Sequence, residues 1–215
     1  MNYQTWKKWH VLCVALVAML MSSGCAVAPR ADGPVFAPAG SSWTFEQRDT
    51  GSFGSGTKQQ TATALGERTW QGRRVMATEG QLGTRLSDAD KGEWLAVVKG
   101  DATILTWEPS LGYDWPLTVG KSFPRDYRMV NHVTKQATDI RSTMTVESFE
   151  DVTVPAGTFK AFKVRYTDST GVDNSSWYCP DAAAWVKSRV TRSEKWPAGP
   201  GTQELDLLSY SIKKN

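Results

Sequence analysis

Apolar and polar positions alternate in short runs along most of this chain. Trp43-Thr44-Phe45-Glu46-Gln47-Arg48 has a period of two, the spacing that sends successive side chains to opposite faces of a strand. Residues 57–65, 73–80, 93–99, 102–107, 121–133, 140–154, 159–170, 176–179, 185–192 and 204–213 continue the series. They are rich in Thr, Val and aromatic residues, which favour a pleated, half-buried surface. Gly, Pro, Asn and Asp punctuate the runs at intervals typical of an all-β sandwich, roll or barrel. Residues 140–154 give the cleanest alternation. Ile140, Met144, Val146, Val152 and Val154 share one parity, which predicts one core face and one wet face. Parity changes between Ala161 and Phe162 and between Leu207 and Leu208, which predicts either a bulge or burial on both faces. No convincing amphipathic helix longer than two turns emerges, although residues 181–185 could form a short helical turn. There is no repeat of solenoid or propeller length. The pattern therefore predicts one curved antiparallel β-roll or partly open barrel of about ten to twelve strands, over residues 43–215.

The start of the chain follows different rules. Lys7 and Lys8 precede an uncharged apolar run over residues 11–21, too short to cross a bilayer comfortably, and Ser22-Ser23-Gly24 leads into Cys25. A basic start, a short apolar core and small residues describe a secretory signal over residues 1–24. The junction resembles a bacterial lipobox, with Ser22 where Leu is usual. That resemblance implies cleavage before Cys25, lipidation of its thiol and acylation of its amine. Ala26 follows rather than Asp, which implies forwarding to the outer membrane, on the inner leaflet and facing the periplasm. Residues 25–42 carry Pro29, Pro34 and Pro38 among Ala and Gly, and are expected to be a tether.

Composition then narrows the function. Lys plus Arg number 25 against 22 Asp plus Glu, and the formal net charge of +3 drops by two when Lys7 and Lys8 leave with the signal. No concentrated basic excess marks a nucleic-acid surface. Of the 3 cysteines, Cys13 lies in the signal and Cys25 at the anchor, so Cys179 has no intramolecular disulfide partner. Its setting, Trp177-Tyr178-Cys179-Pro180, suits a small buried apolar residue.

Chemistry-bearing motifs are sparse. His132 is the only histidine beyond the signal, and no nucleophile elbow accompanies it. One His without a Cys cluster does not make a typical zinc site, so no metal and no cofactor is expected. Gly120-Lys121-Ser122 lacks the first glycine of a phosphate loop, and Pro124 prevents the helix that such a loop needs. Asp88-Ala89-Asp90-Lys91-Gly92-Glu93 lacks the spacing of a calcium loop. Acidic residues such as Glu147, Glu150 and Asp151 could pair for hydrolysis only if the fold set them at the right separation. No catalytic residue is expected. The 10 tryptophans stand out. Those beyond the signal can fill a wide β core or line a ligand cleft. Trp70 at a turn, and Trp115 and Trp196 each before a proline, are the candidates for ligand contact.

Two stretches carry a resemblance. Trp115-Pro116-Leu117-Thr118-Val119-Gly120-Lys121 has the form W-P-L-x-V-G-K, and residues 152–164 have the form V-x-V-P-A-G-T-F-x-A-[FY]-x-[VI]. Trp177-Tyr178-Cys179-Pro180-Asp181 with Trp185-Val186-Lys187 completes it, with Ala183 where Gly is usual. Together, over roughly residues 107–210, they resemble a broad group of bacterial envelope proteins of unknown function. That resemblance implies a curved antiparallel β-roll and supplies no catalytic residues. Pro155-Ala156-Gly157-Thr158 suits a type II turn joining two strands as a hairpin. The expectation is a non-enzymatic lipoprotein that binds an apolar or glycan ligand. An adaptor for another envelope protein and a hydrolase are the alternatives.

Overall fold

The computed structural model describes residues 28–214, so the expected signal over residues 1–24 and Cys25 lie outside the described residues. In chain order the strands are β1 Arg30–Ala31, β2 Ser42–Gly51, β3 Gly56–Trp70, β4 Arg73–Gly80, β5 Gly83–Asp88, β6 Trp94–Lys99, β7 Ala102–Leu111 and β8 Leu117–Thr118. They continue as β9 Ser122–Pro124, β10 Tyr127–Asn131, β11 Gln136–Ile140, β12 Ser142–Val154, β13 Gly157–Asp168, β14 Val172–Cys179, β15 Ala184–Arg192 and β16 Gly201–Ser211. A 3-10 turn, Pro180–Ala182, is the one helical element among the described residues. Fourteen strands form a single antiparallel sheet in the order β11-β10-β7-β6-β5-β4-β3-β2-β16-β15-β14-β13-β12-β9, and β1 pairs with β8 separately.

This sheet is rolled. β6 and β15 stand six positions apart in that order, about 29 Å on a flat sheet at the usual interstrand spacing. Yet the rings of Trp94 on β6 and Trp185 on β15 have centroids 5.4 Å apart. β10 and β13 are ten positions apart, about 48 Å if flat, and the hydroxyls of Tyr127 and Tyr166 lie within 2.6 Å. The two limbs therefore curl until they touch, while β11 and β9 remain unpaired sheet edges. The expected architecture is what forms, with more strands than the predicted ten to twelve. The run 121–133 divides at Arg125-Asp126 into β9 and β10, and β5 and β11 are polar strands that hydrophobic alternation does not reveal.

Bulges provide the curvature. The register shifts between Leu207 and Ser209 opposite β2, where the parity change predicts it. At Ala161 and Phe162 there is no shift on β13, and both residues are buried, one in each of two clusters, so that segment is covered on both faces. The clean parity of residues 140–154 is misleading. β12 slips at Glu147, between Val146 and Ser148, which turns Val152 and Val154 to the face opposite Met144 and Val146. The first pair packs with Trp43, Val186 and Leu207, and the second with Leu117, Phe123 and Val164.

From Arg30 onward the segment expected to be a tether, residues 25–42, is packed against the sheet. Arg30–Ala31 pairs with Leu117–Thr118, and Ala31, Ala37 and Ser41 are buried. Val35 donates its backbone N–H to the Tyr178 hydroxyl at 3.1 Å, and Gly40 and Ser41 exchange backbone hydrogen bonds with Ala64 at 2.8 Å. The prolines prevent regular structure in this strap without preventing its packing, because alanines and glycines let it lie close to the sheet. Gly92, at φ +71°, lies directly beneath it: a Cβ there would stand 2.7 Å from the Pro34 Cβ. Gly92→Ala is expected to destabilise the fold by about 1–3 kcal/mol in urea unfolding and to expose residues 33–37 to proteolysis. Unchanged stability and cleavage would show that the strap is not held there.

Candidate functional site

The roll encloses a cavity of about 670 Å³, within the range of small-molecule sites. Its wall draws on strands from β2 to β16 and on strap residues Pro34–Ala37. It follows β15 from Trp185 to Arg192, on the order of 20 Å at the rise of a strand. One end is closed by the strap, by Trp43, whose indole donates to the Ala182 carbonyl at 2.8 Å, and by an aromatic group. In that group Tyr113, Trp115 and Tyr178 meet edge-on, with centroids 5.6 to 6.0 Å apart. At the other end, where β2, β15 and β16 pair around Gly51 and Gly201, the lining becomes polar, with Gln203, Arg192 and Trp196.

Two of the three candidate tryptophans line this cavity. Trp115 reaches it from the loop before β8, and its indole is fixed by a 2.9 Å bond to the Lys91 carbonyl. Trp196 stands at the polar end, where the Arg192 guanidinium lies 4.2 Å from its ring and 3.6 Å from that of Phe53. Trp70 is not there. It packs against Val75, Ala77, Leu86, Leu95 and Ala96, a cluster outside the Trp94 and Trp185 group, because β4 and β5 turn those residues to the opposite face from Met76, Thr78 and Arg85. The main aromatic wall was not among the candidates. Trp94 meets Trp107 at 5.7 Å and Trp185 at 5.4 Å, both edge-on.

Arg85 on β5 lies inside this wall. Its guanidinium stands 4.9 Å from the Trp94 ring and 5.3 Å from that of Trp185. It forms no salt bridge with any described residue, and its Nε is buried without an acceptor among them. What accessible surface remains on the side chain opens into the cavity. Burial pulls its pKa down to about 10, slightly opposed by the nearby Tyr113. It therefore stays charged at neutral pH, at a cost on the order of 3 kcal/mol. Two indole faces offset part of this. Tyr113 is itself oriented: the Trp185 indole donates to its hydroxyl at 2.7 Å, and that hydroxyl reaches Ser176 Oγ at 3.3 Å. Burial raises its pKa, so it remains a neutral phenol.

A second polar group joins the limbs of the roll. The Tyr166 hydroxyl donates to Asp168 Oδ2 at 2.6 Å, which leaves Tyr127 to donate to Tyr166. Asp168 is fixed through Oδ1 by Thr170 and by the backbone N–H of Val172. Burial pushes the Tyr127 pKa up to about 12 and raises that of Tyr166 further, reinforced by Tyr127 and Asp168. Both phenols stay protonated throughout the physiological range.

Neither His132 nor Cys179 lines the cavity. His132 is exposed, with Nε2 3.0 Å from Thr106 Oγ1. Cys179 is buried behind the closed end, and burial raises its thiol pKa, opposed by the backbone N–H groups of Ala182 and Asp181. Among the described residues, no three His, Cys, Asp or Glu side chains gather to hold a metal.

No family model and no curated protein matches the chain. Among solved structures, it is similar to a Bacteroides fragilis protein described as exported and YmcC-like in fold. That likeness has 13% identity and a TM-score of 0.53, over 84% of this chain and 100% of that one. A Parabacteroides distasonis protein described as a lipoprotein gives 10% identity and a TM-score of 0.45, over 84% and 99% of the two chains. The lipoprotein YmcC of Escherichia coli gives 14% and 0.43, over 81% and 89%. The first likeness places the rolled sheet among YmcC-like folds.

Tyr166→Phe removes the donor to Asp168 and the acceptor for Tyr127. It is expected to lower stability by about 1–3 kcal/mol, with a lower urea midpoint. No change in midpoint would mean that the limbs are held by apolar packing alone.

Proposed function

We propose that the chain is a lipoprotein of the bacterial outer membrane, anchored through Cys25 and facing the periplasm. Its rolled sheet is a non-enzymatic binding module for an apolar ligand. The observation that carries the binding role is the cavity. It is walled by Trp94, Trp107, Trp115 and Trp185 with Met144 and Leu111, and is about 670 Å³ in volume. An apolar cavity of about 150 Å³ already binds benzene, so this space is suited to a much larger apolar molecule. The mainly aromatic and aliphatic wall favours a lipid over a glycan, whose hydroxyls would each need a partner. The large hydrophobics exposed on the outside, Leu82, Val119, Val133, Tyr210 and Ile212 among them, sit in separate turns and near the C-terminus, which gives little support to an adaptor surface.

The anchor rests on the basic start, the apolar run and the small residues before Cys25. Cys25 precedes β1 by so few residues that the fold would be held within about 18 Å of its lipid. In that arrangement the strap that closes the cavity is also the segment leading to the membrane.

Two measurements test this reading. Cys25→Ala is expected to abolish palmitate labelling, and unchanged labelling would refute the anchor. The same variant, secreted and purified from a bacterial host without detergent, is expected to carry an extractable apolar molecule detected by native mass spectrometry. Thr78→Trp, which projects into the cavity, should lose that molecule. A ligand-free wild-type domain that also fails to take up an aliphatic fluorescent probe would rule out the binding role.

A further inference from the structure

Arg85 is the feature that an apolar binding pocket does not explain. A cavity wall built for a neutral hydrocarbon gains nothing from a half-buried cation, and the chain already has Leu, Met and Val in neighbouring positions. The guanidinium is set between Trp94 and Trp185 at 4.9 and 5.3 Å, with no carboxylate within salt-bridge distance among the described residues. The two buried carboxylates among the described residues, Asp49 and Asp206, are both partnered. Asp206 receives Arg189 at 2.7 Å as well as Arg48, and Asp49 receives Gln47, Gln203 and Lys58. Arg85 is charged, enclosed, held in one orientation by two rings, and has N–H donors left over.

We infer that the cavity takes an anionic amphiphile, whose compact carboxylate or phosphate head docks on Arg85 while its hydrocarbon chain runs along β15 toward Arg192. This rests on the binding reading above and specifies its ligand. A planar guanidinium presents two parallel donors that match a carboxylate or a phosphate, and a dry site strengthens that pairing. Tyr113 stands close by as a neutral phenol oriented by Trp185. The register places Arg85 level with Thr78 and Val97, near Ala64 and the strap, at the closed end of the roll. The head is therefore buried first and the chain trails to the polar end. Arg192 does not compete for the same role. It is partly open to solvent, already donates to the Ser52 carbonyl at 3.1 Å, and is covered by Phe53 and Trp196.

The bland alternative is that Arg85 is only packing, stacked between two indoles as arginines often are. The two roles predict opposite effects on the empty protein. A packing arginine stabilises the fold, so Arg85→Met lowers the melting temperature. An unpaired cation reserved for a ligand burdens the fold, so Arg85→Met raises it.

The test uses the Cys25→Ala chain, stripped of ligand, with oleate, oleyl phosphate and oleyl alcohol as probes. In the parent, at least one of the two anions should bind on the order of 10- to 100-fold more tightly than the alcohol, the span of one charge-assisted contact. Which anion wins identifies the head group. Arg85→Met should abolish that preference, bringing both anions down to the affinity of oleyl alcohol, and should raise the melting temperature of the empty protein. Arg85→Lys should keep part of the preference. Equal binding of all three probes to the parent would overturn the inference and leave the apolar cavity standing. So would a preference lost in Arg192→Met but kept in Arg85→Met. A lowered melting temperature or failure to fold in Arg85→Met would assign Arg85 to packing and also overturn it. Binding of none of the probes would remove the inference together with the binding reading.

Discussion

The contact between Tyr127 and Tyr166 is where the architecture is decided. It joins strands ten positions apart in one sheet, and Tyr166 passes the hydrogen bond on to a fixed Asp168. A sheet brought to that closure encloses a space whose width is set by strand number. About eight strands leave just enough room for their own side chains, and larger rolls enclose a lumen. With fourteen strands in the sheet, the concave side is too wide for Leu and Val to fill. The tryptophans follow from this. Trp94, Trp107 and Trp185 reach across the lumen and narrow it, while Trp43, Trp115, Tyr178 and the strap seal one end. The cavity is what remains.

Much of this was legible in the chain. The β character, the antiparallel roll, the hairpin after Val154 and the bulge near Leu207 follow from alternation and turn signals, although the turn centres on Pro155-Ala156 and is not the expected type II turn with Gly157 inside it. What was not legible shares one physical cause: an inner face that lines a cavity need not be apolar. β5 reads Gly83-Thr84-Arg85-Leu86-Ser87-Asp88, with no hydrophobic alternation, since Arg85 and Ser87 face the lumen. Strand β5, and the cavity arginine whose Nε is buried without an acceptor among the described residues, were missed together. The slip at Glu147 was hidden for a different reason. A single inserted residue exchanges the two faces, so an unbroken parity in the sequence became a broken one in the fold.

The strap shows the limit of composition. Pro, Ala and Gly over residues 25–42 read as a tether, yet the same small residues allow close packing over Gly92 and against Ala64. With Cys25 as the proposed anchor, the segment that closes one end of the cavity would also be the one that leads to the lipid. Two arginines then divide the cavity. Arg85 is enclosed at the sealed end, and Arg192 is half-covered by Phe53 and Trp196 at the open one. Trp70, although at a turn, belongs to a separate cluster and to stability rather than binding.

A hydrocarbon chain in the lumen would lie beside the tryptophan wall. Bromine quenches indole fluorescence only on close approach, so titration with stearate brominated along its chain reads that placement directly. Saturable quenching is expected from Trp94, Trp107 and Trp185, reduced when Trp94 and Trp185 are replaced by Phe, with Trp70→Phe leaving the quenched fraction unaltered. Quenching that is absent, or that disappears with Trp70 instead, would contradict it.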